Sequence, residues 1–320
     1  MTPHSSTRRV VLITGPTAVG KTDIACAVAD LLGGIERVSL ISVDSAMVYR
    51  GMDIGSAKPT PAELRQYPHA LVDIRDPEDT YTAADFVADA DECVNAALRS
   101  GRLPVLVGGT MLYAKRFVEG IADLPQADAD LRAELEQIFK SQGGAELHAE
   151  LSAIDPAAAA NIHPNNPQRL IRALEVVRLT GRPMSEQWRE LSSPGAVERL
   201  DVEMCVFGVL PDNRQVLHER IARRFDAMLA AGFEQELERI RARPGFRPDL
   251  PAMRAVGYRQ GLAYLAGELD AAGFREQAIT ATRRLAKRQM TWLRNWPQLK
   301  RLDWGDPVQA AHKIVQALQA

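Results

Sequence analysis

Short apolar runs alternate with helical periodicity over the first third of the chain. Val10–Thr14, Val38–Val43, Leu71–Ile74 and Val105–Val107 are rich in Val, Ile and Leu and lack polar alternation. That pattern predicts strands of a parallel sheet covered on both faces. Between them, Lys21–Leu32 carries Ile24, Val28, Leu31 and Leu32 and stops at Gly33-Gly34, as a helix does. Thr82–Ser100 opens with Thr82 and Asp85 at capping-box spacing, carries Phe86, Val94 and Leu98, and ends before Gly101. Strand–helix–strand alternation predicts an α/β core with right-handed crossovers.

The texture changes after about residue 117. Asp128–Lys140, Glu146–Ala153 and Pro167–Thr180 read as helices with no strand between them, and Asn166-Pro167 reads as an N-cap followed by proline at the first helical position. One more strand pattern follows at Glu203–Val209. Long helical patterns then cover Asn213–Ala231, Met253–Leu265 and Phe274–Trp296. The expected organisation is an α/β core from residues 1–117 and 203–320, with additional C-terminal helices, interrupted by a helical insertion at 118–202.

Composition narrows the classes. Of 320 residues, 46% are hydrophobic and 25% charged, which is ordinary for a globular protein and excludes disorder as the main state. Lys+Arg 39 against Asp+Glu 41 gives a net charge of −2, so a uniformly basic coat is excluded while a local basic patch is not. Cys26, Cys93 and Cys205 lie far apart, which leaves neither a zinc knuckle nor a disulfide framework and suits a reducing cytoplasm. The apolar run Val10–Ile13 is too short for a signal peptide or a membrane span. The histidines show no metal-ligand spacing.

The chemistry starts at Gly15-Pro16-Thr17-Ala18-Val19-Gly20-Lys21-Thr22, which fits G-x-x-x-x-G-K-[ST] and lies between a predicted strand and a predicted helix. Gly20 permits a turn that points backbone N–H groups inward, and the helix N-terminus adds partial positive charge. Lys21 can neutralise phosphate oxygens, and the Thr22 hydroxyl can ligate Mg²⁺. The motif specifies phosphate or diphosphate, not ATP. The predicted strand Val105–Val107 ends in Gly108-Gly109-Thr110 rather than in the acidic residue of an ATP-hydrolysing motor, and no Asn-Lys-x-Asp guanine reader is present.

Asp44 follows the second predicted strand, and in an open parallel sheet ligands sit at the strand carboxyl ends. It is a candidate Mg²⁺ partner or general base. A turn aspartate that caps the next segment would look the same. Residues 283–301 hold Arg283, Arg284, Lys287, Arg288, Arg294, Lys300 and Arg301 with no acidic residue, and Trp292 and Trp296 lie on one helical face among them. Basic charge with aromatics suits a polynucleotide. An amphipathic helix with core tryptophans and solvated arginines gives the same pattern. Gln168, Arg169 and Arg172 form a second cluster, and Arg254 with Arg259 a third.

Taken in order, these segments resemble the bacterial tRNA dimethylallyltransferases, also called tRNA isopentenyltransferases. The resemblance covers nearly the whole chain. It rests on Gly15–Thr22, Ile41–Ser45, Tyr49–Lys58, Asp73–Pro77, Val107–Tyr113, His163–Glu175, Val256–Arg259 and Leu285–Arg294. Asp44-Ser45 followed by Gly51-Met52-Asp53-Ile54-Gly55 and then Gly108-Gly109-Thr110 is the specific part; the phosphate loop alone is shared with many enzymes.

The resemblance implies a P-loop NTPase-like α/β core with a helical insertion. It also implies transfer of a dimethylallyl group from dimethylallyl diphosphate to N6 of the adenosine 3′ of the anticodon, tRNA position 37, in tRNAs reading codons that begin with U. By the same resemblance Asp44 acts as base, with Thr110 near the substrate adenine and Lys21 at the leaving group. Diphosphate is assigned to Gly15, Thr17, Gly20, Lys21, Thr22 and Arg224, with Arg220 as an alternative arginine, and Mg²⁺ to Thr22. Contacts to the tRNA anticodon stem-loop are assigned to Asp44, Ser45, Ala46, Met47, Thr110, Arg132, Gln168, Arg169, Arg172, Arg254, Gly257, Tyr258, Arg259, Lys287, Arg288 and Arg294. The expected enzyme is a cytoplasmic monomer that uses no membrane. A P-loop small-molecule kinase is the competing enzyme reading, and an RNA-binding protein switched by nucleotide is the competing non-enzyme reading.

Overall fold

The protein is described here by a computed structural model covering residues 8–122, 124–190 and 192–319. Two compact units make it up. One runs to Val118 and resumes at Ala196; the other is Glu119–Gly195.

The first unit begins with β1 (Arg9–Thr14), α1 (Lys21–Leu31), β2 (Val38–Val43), α2 (Pro61–Gln66), β3 (His69–Ala70), α3 (Ala83–Arg99), β4 (Leu103–Gly108) and α4 (Met111–Glu119). The apolar runs become strands because both sheet faces are covered: Val10, Val11, Leu12 and Ile13 are all 0% exposed. The capping box at α3 forms as its spacing predicts, with the Thr82 and Asp85 side chains each accepting the other's backbone N–H. Thr60 and Glu63 build the same device on α2.

The second unit is helical: α5 (Ala129–Gln142), α6 (Gly144–Ile154), α7 (Pro156–Ala159), α8 (Pro167–Thr180) and α9 (Met184–Glu190). It has its own core, including Leu135, Leu147, Leu151, Leu170 and Leu174. Its limits differ from the expected 118–202. The helix α10 (Ala196–Leu200) packs with the sheet unit, because Ala196 and Leu200 bury in that core and Arg199 pairs with Asp91 at 2.6 Å.

The first unit is completed by β5 (Glu203–Leu210), α11 (Arg214–Ala230), α12 (Phe233–Arg241), a 3-10 turn at Pro251–Arg254, α13 (Tyr258–Leu265), α14 (Ala271–Arg294), β6 (Lys300–Asp303) and α15 (Pro307–Gln319). The six strands form one parallel sheet in the order β3-β2-β4-β1-β5-β6. β1 lies between β4 and β5, so the ends of β2, β4 and β1 stand side by side. That reversal of strand order is where α/β sheets open a ligand crevice.

Some expectations fail here. The helix expected over Met253–Leu265 starts only at Tyr258, because Gly257 at φ 94° separates it from the 3-10 turn, and α14 ends at Arg294, short of Trp296. Leu71–Ile74 is not a strand: β3 stops at Ala70, and Leu71 (φ 63°) and Asp73 (φ 55°) adopt left-handed backbone that ends extension. β6 adds a strand that was not expected, because only Leu302 of its residues is buried and charge hides the pattern. No helix among the described residues is long and apolar enough to cross a membrane.

Candidate active site

β1 leads directly into the Gly15–Thr22 loop, where phosphate is expected. Gly20 caps α1 with φ 85°, and Ala18 also turns left-handed at φ 66°. The loop therefore curls with its N–H groups toward its own centre. Gly15 is confined: a Cβ there would meet Val209 O at 2.9 Å. Lys21 Nζ donates to Pro16 O at 2.9 Å and so lies across the loop. Burial, reinforced by Arg224, lowers the Lys21 amine from 10.5 to about 8, while Asp44 pulls the other way.

The facing wall comes from the next two strands. Gly108 touches β2 so closely that a Cβ would fall 2.1 Å from Val43 O. This contact sets Thr110 beside Ser45: Ser45 N–H donates to Thr110 Oγ1 at 3.1 Å, and the two hydroxyls lie 3.3 Å apart. Asp44 Oδ1 accepts the N–H groups of Ala46 (2.8 Å) and Met47 (3.2 Å), fixing the carboxylate at the end of β2. The capping reading and the functional reading of Asp44 are thus compatible.

α11 supplies Arg220 and Arg224. Burial lowers the Arg224 value, Asp44 opposes that shift, and Arg220 adds to it. Arg220 Nη2 lies 3.5 Å from where a Gly20 Cβ would stand. Both arginines expected as alternatives therefore flank the same loop. From α14, buried Gln289 accepts the Thr17 N–H at 2.9 Å and donates to Gly109 O at 2.7 Å.

The Gly-rich segment after Asp44 is held from below. Glu236 on α12, 1% exposed, accepts the N–H groups of Asp53 (2.9 Å), Ile54 (2.6 Å) and Gly55 (3.1 Å), and the Tyr258 hydroxyl at 2.7 Å. Lys58 ties the same segment to Asp53 at 2.6 Å and Asp73 at 2.5 Å.

Lys287, Arg288 and Arg294 are exposed along α14, and a groove there is lined by Arg284, Lys287, Arg288, Thr291 and Trp292. Lys115 stands 5.3 Å over the Trp292 ring. Arg254 and Arg259 are also exposed. Gly257 and Tyr258, expected against tRNA, are buried. The Tyr258 ring is 0% exposed, packs edge-on to Phe233 and donates to Glu236, so its side chain supports the Gly-rich segment instead.

In the helical unit, Gln168 and Arg169 are exposed at the start of α8. Arg132 and Arg172 both bind the fully buried Glu175, at 2.8 and 2.7 Å. Gln289, Glu236 and Glu175 did not stand out in the sequence reading. Their signal is a polar residue on an otherwise apolar helical stripe: Ala286-Gln289-Leu293, Phe233-Glu236-Ile240 and Ile171-Glu175.

No group of three or more His, Cys, Asp or Glu side chains that could hold a metal ion occurs among the described residues. Mg²⁺ fits the site in a different way. It keeps several waters and takes phosphate oxygens with one or two protein oxygens, and Thr22 and Asp44 offer oxygen donors of that kind.

Residues 47–296 match the family model described as IPP transferase. A tRNA dimethylallyltransferase of Chromohalobacter salexigens is 52% identical over 92% of this chain and 91% of its own length. The crystal structure of a tRNA isopentenylpyrophosphate transferase from Bacillus halodurans is 37% identical, with a TM-score of 0.68 over 98% of this chain and 97% of that one. A eukaryotic dimethylallyltransferase shares the fold at a TM-score of 0.76 and 24% identity, over 97% of this chain and 77% of that one.

Proposed function

We propose, from the premise that this chain belongs to the IPP transferase family, a residue-level account of how it prenylates tRNA. The family and its relatives make the chain a transferase that modifies tRNA. The finer reading is transfer from dimethylallyl diphosphate to N6 of the adenosine at tRNA position 37, in tRNAs reading codons that begin with U. The observation that carries it is the facing of the phosphate loop by Asp44 and Thr110 across adjacent strand ends.

The donor diphosphate lies on the loop N–H groups, Lys21, Thr22 and Arg224, with Arg220 beside it. These positive groups stabilise the charge that builds on the leaving diphosphate. Thr22 would hold Mg²⁺ beside the diphosphate, where the ion would supply further charge neutralisation. The adenine amine is a weak nucleophile because its lone pair is delocalised into the ring. N6 bonds to the first carbon of the dimethylallyl group as that carbon's bond to diphosphate oxygen breaks. The bond pair leaves with diphosphate, and the N6 proton passes to the Asp44 carboxylate. Thr110 and Ser45 lie where they can orient the amine.

A base inside a stacked anticodon loop must be turned out to reach such a site. The exposed arginines and lysines of α14, α8 and the segment before α13 suit the phosphates of the stem-loop. The reading takes the protein as a monomer acting in the cytoplasm.

The test is direct. The protein is incubated with unmodified anticodon stem-loop RNA, Mg²⁺ and dimethylallyl diphosphate, with ATP as a parallel donor, and the RNA is weighed by mass spectrometry. One dimethylallyl group on the adenosine beside the anticodon, gained only with the prenyl donor, is the expected result. Phosphate transfer from ATP instead would return the kinase reading to first place.

A further inference from the structure

We propose that Gln289 is a positioning residue that sets the spacing between the donor half and the acceptor half of the site. β1 and β4 pair as far as Thr14 and Gly108. Beyond that rung the chains part, one into the phosphate loop and the other into the turn that carries Thr110. Gln289 bridges them just past the parting. Its Oε1 takes the Thr17 N–H at 2.9 Å and its Nε2 gives to Gly109 O at 2.7 Å. The side chain acts as one more rung of the β1–β4 ladder.

A carboxamide suits this because it carries an acceptor and a donor on one planar fork at any ordinary pH. A carboxylate keeps the first bond and loses the second. An apolar side chain of similar size loses both and leaves a part-buried N–H and C=O without that partner. The position is also tight, because a Cβ on Gly109 would lie 2.8 Å from Gln289 Nε2 and 3.4 Å from Lys21 Nζ. A negative charge on residue 289 would therefore stand next to the lysine and to the diphosphate.

The transfer step needs the donor carbon and the amine aligned at near-contact distance, and small misplacements cost large factors in rate. The loop places the donor, and the β4–α4 turn places Thr110 and, through it, Ser45. Gln289 holds the one against the other while touching neither substrate. This inference rests on the donor and acceptor assignments proposed above.

The experiment compares the full-length protein with Gln289→Glu and Gln289→Met. It measures kcat and KM for dimethylallyl diphosphate, the Kd for anticodon stem-loop RNA, and the Kd for inorganic diphosphate by calorimetry. The expected result is a kcat at least tenfold lower in both variants, with RNA affinity within twofold of wild type. Diphosphate affinity is expected to fall at least fivefold in Gln289→Glu. Transfer and diphosphate binding within twofold of wild type in both variants would overturn the inference. So would a matching loss of RNA affinity, since Gln289 would then act through the fold of α14. If the wild type transfers no dimethylallyl group, the functional reading fails and this inference falls with it; transfer by the wild type with unimpaired variants overturns the role of Gln289 alone.

Discussion

Tyr258 donates its hydroxyl proton to Glu236 Oε1 at 2.7 Å, in the interior of the sheet unit. The same carboxylate collects three consecutive N–H groups of the Gly-rich segment that follows Asp44. Tyr258→Phe removes one bond to a buried charge and is expected to cost about 1.5–3 kcal/mol. Urea unfolding should show a lower midpoint with an unchanged slope. Glu236→Leu should cost more, because it strands the three backbone donors as well as the hydroxyl.

Asp44→Asn preserves an oxygen that can accept from Ala46 and Met47, so the turn should survive. What it removes is the proton acceptor. Single-turnover transfer is expected to slow by about 10²–10⁴, the usual worth of a general base, with RNA affinity unchanged in a gel-shift. Lost RNA binding with intact transfer would rule out the base assignment.

Lys21 gives a pH signature. Its value falls from 10.5 to about 8 in the folded protein without donor. Below about 8 the lysine is charged in both folded and unfolded chains, and the fold bears the full cost of burying that charge. As pH rises from about 8 toward 10.5 the folded site gives up a proton that the unfolded chain keeps, so this contribution to stability improves. Lys21→Met should therefore raise the melting temperature of the ligand-free protein at pH 7. Diphosphate favours the charged amine, so its binding should take up a proton above pH 8 and weaken there. Calorimetry on wild type and Lys21→Met at each pH removes the ligand's own titration, and the wild-type loss above pH 8 should vanish in the variant.

Glu175 couples two arginines that sequence reasoning assigned separately to tRNA. Arg132 and Arg172 share its Oε2, and Oε1 takes the Asp128 N–H at 3.1 Å. Glu175→Leu strands the Asp128 N–H and frees two part-exposed arginines, and should destabilise the helical unit by about 1–3 kcal/mol. Arg132→Ala and Arg172→Ala should be non-additive in a double-mutant cycle. If Arg172 meets a phosphate, its removal should also lower the slope of log affinity against log salt by about one. An unchanged slope would take Arg172 out of the RNA surface.

The strands that carry the site were legible because burial on both faces leaves an unbroken apolar signature, as at Val10–Ile13. The Gly15–Thr22 loop between β1 and α1 was legible because its left-handed turn at Gly20 demands glycine. Leu71–Ile74 misled because an apolar run does not reveal left-handed backbone. The inward turn of the Tyr258 ring was not legible, because its neighbours Arg254 and Arg259 face outward and position in such a segment says nothing about which way one ring points. Gln289, Glu236 and Glu175 were hidden for a shared reason: each serves backbone or side-chain groups distant in sequence, so nothing nearby announces its partner.

The interruption of the sheet unit has a consequence for synthesis on the ribosome. β1 and the phosphate loop emerge early, yet the β5 flank of β1 follows only after the whole helical unit, and α15, which packs on α1, comes later still. Such distant pairings carry a large loop-closure cost and form slowly. The helical unit is one unbroken stretch with a core of its own, so it can fold while the nascent sheet still waits for its remaining strands. Until then β1 presents an unpaired apolar edge, which makes the half-made sheet the stage at which this chain most needs protection from aggregation.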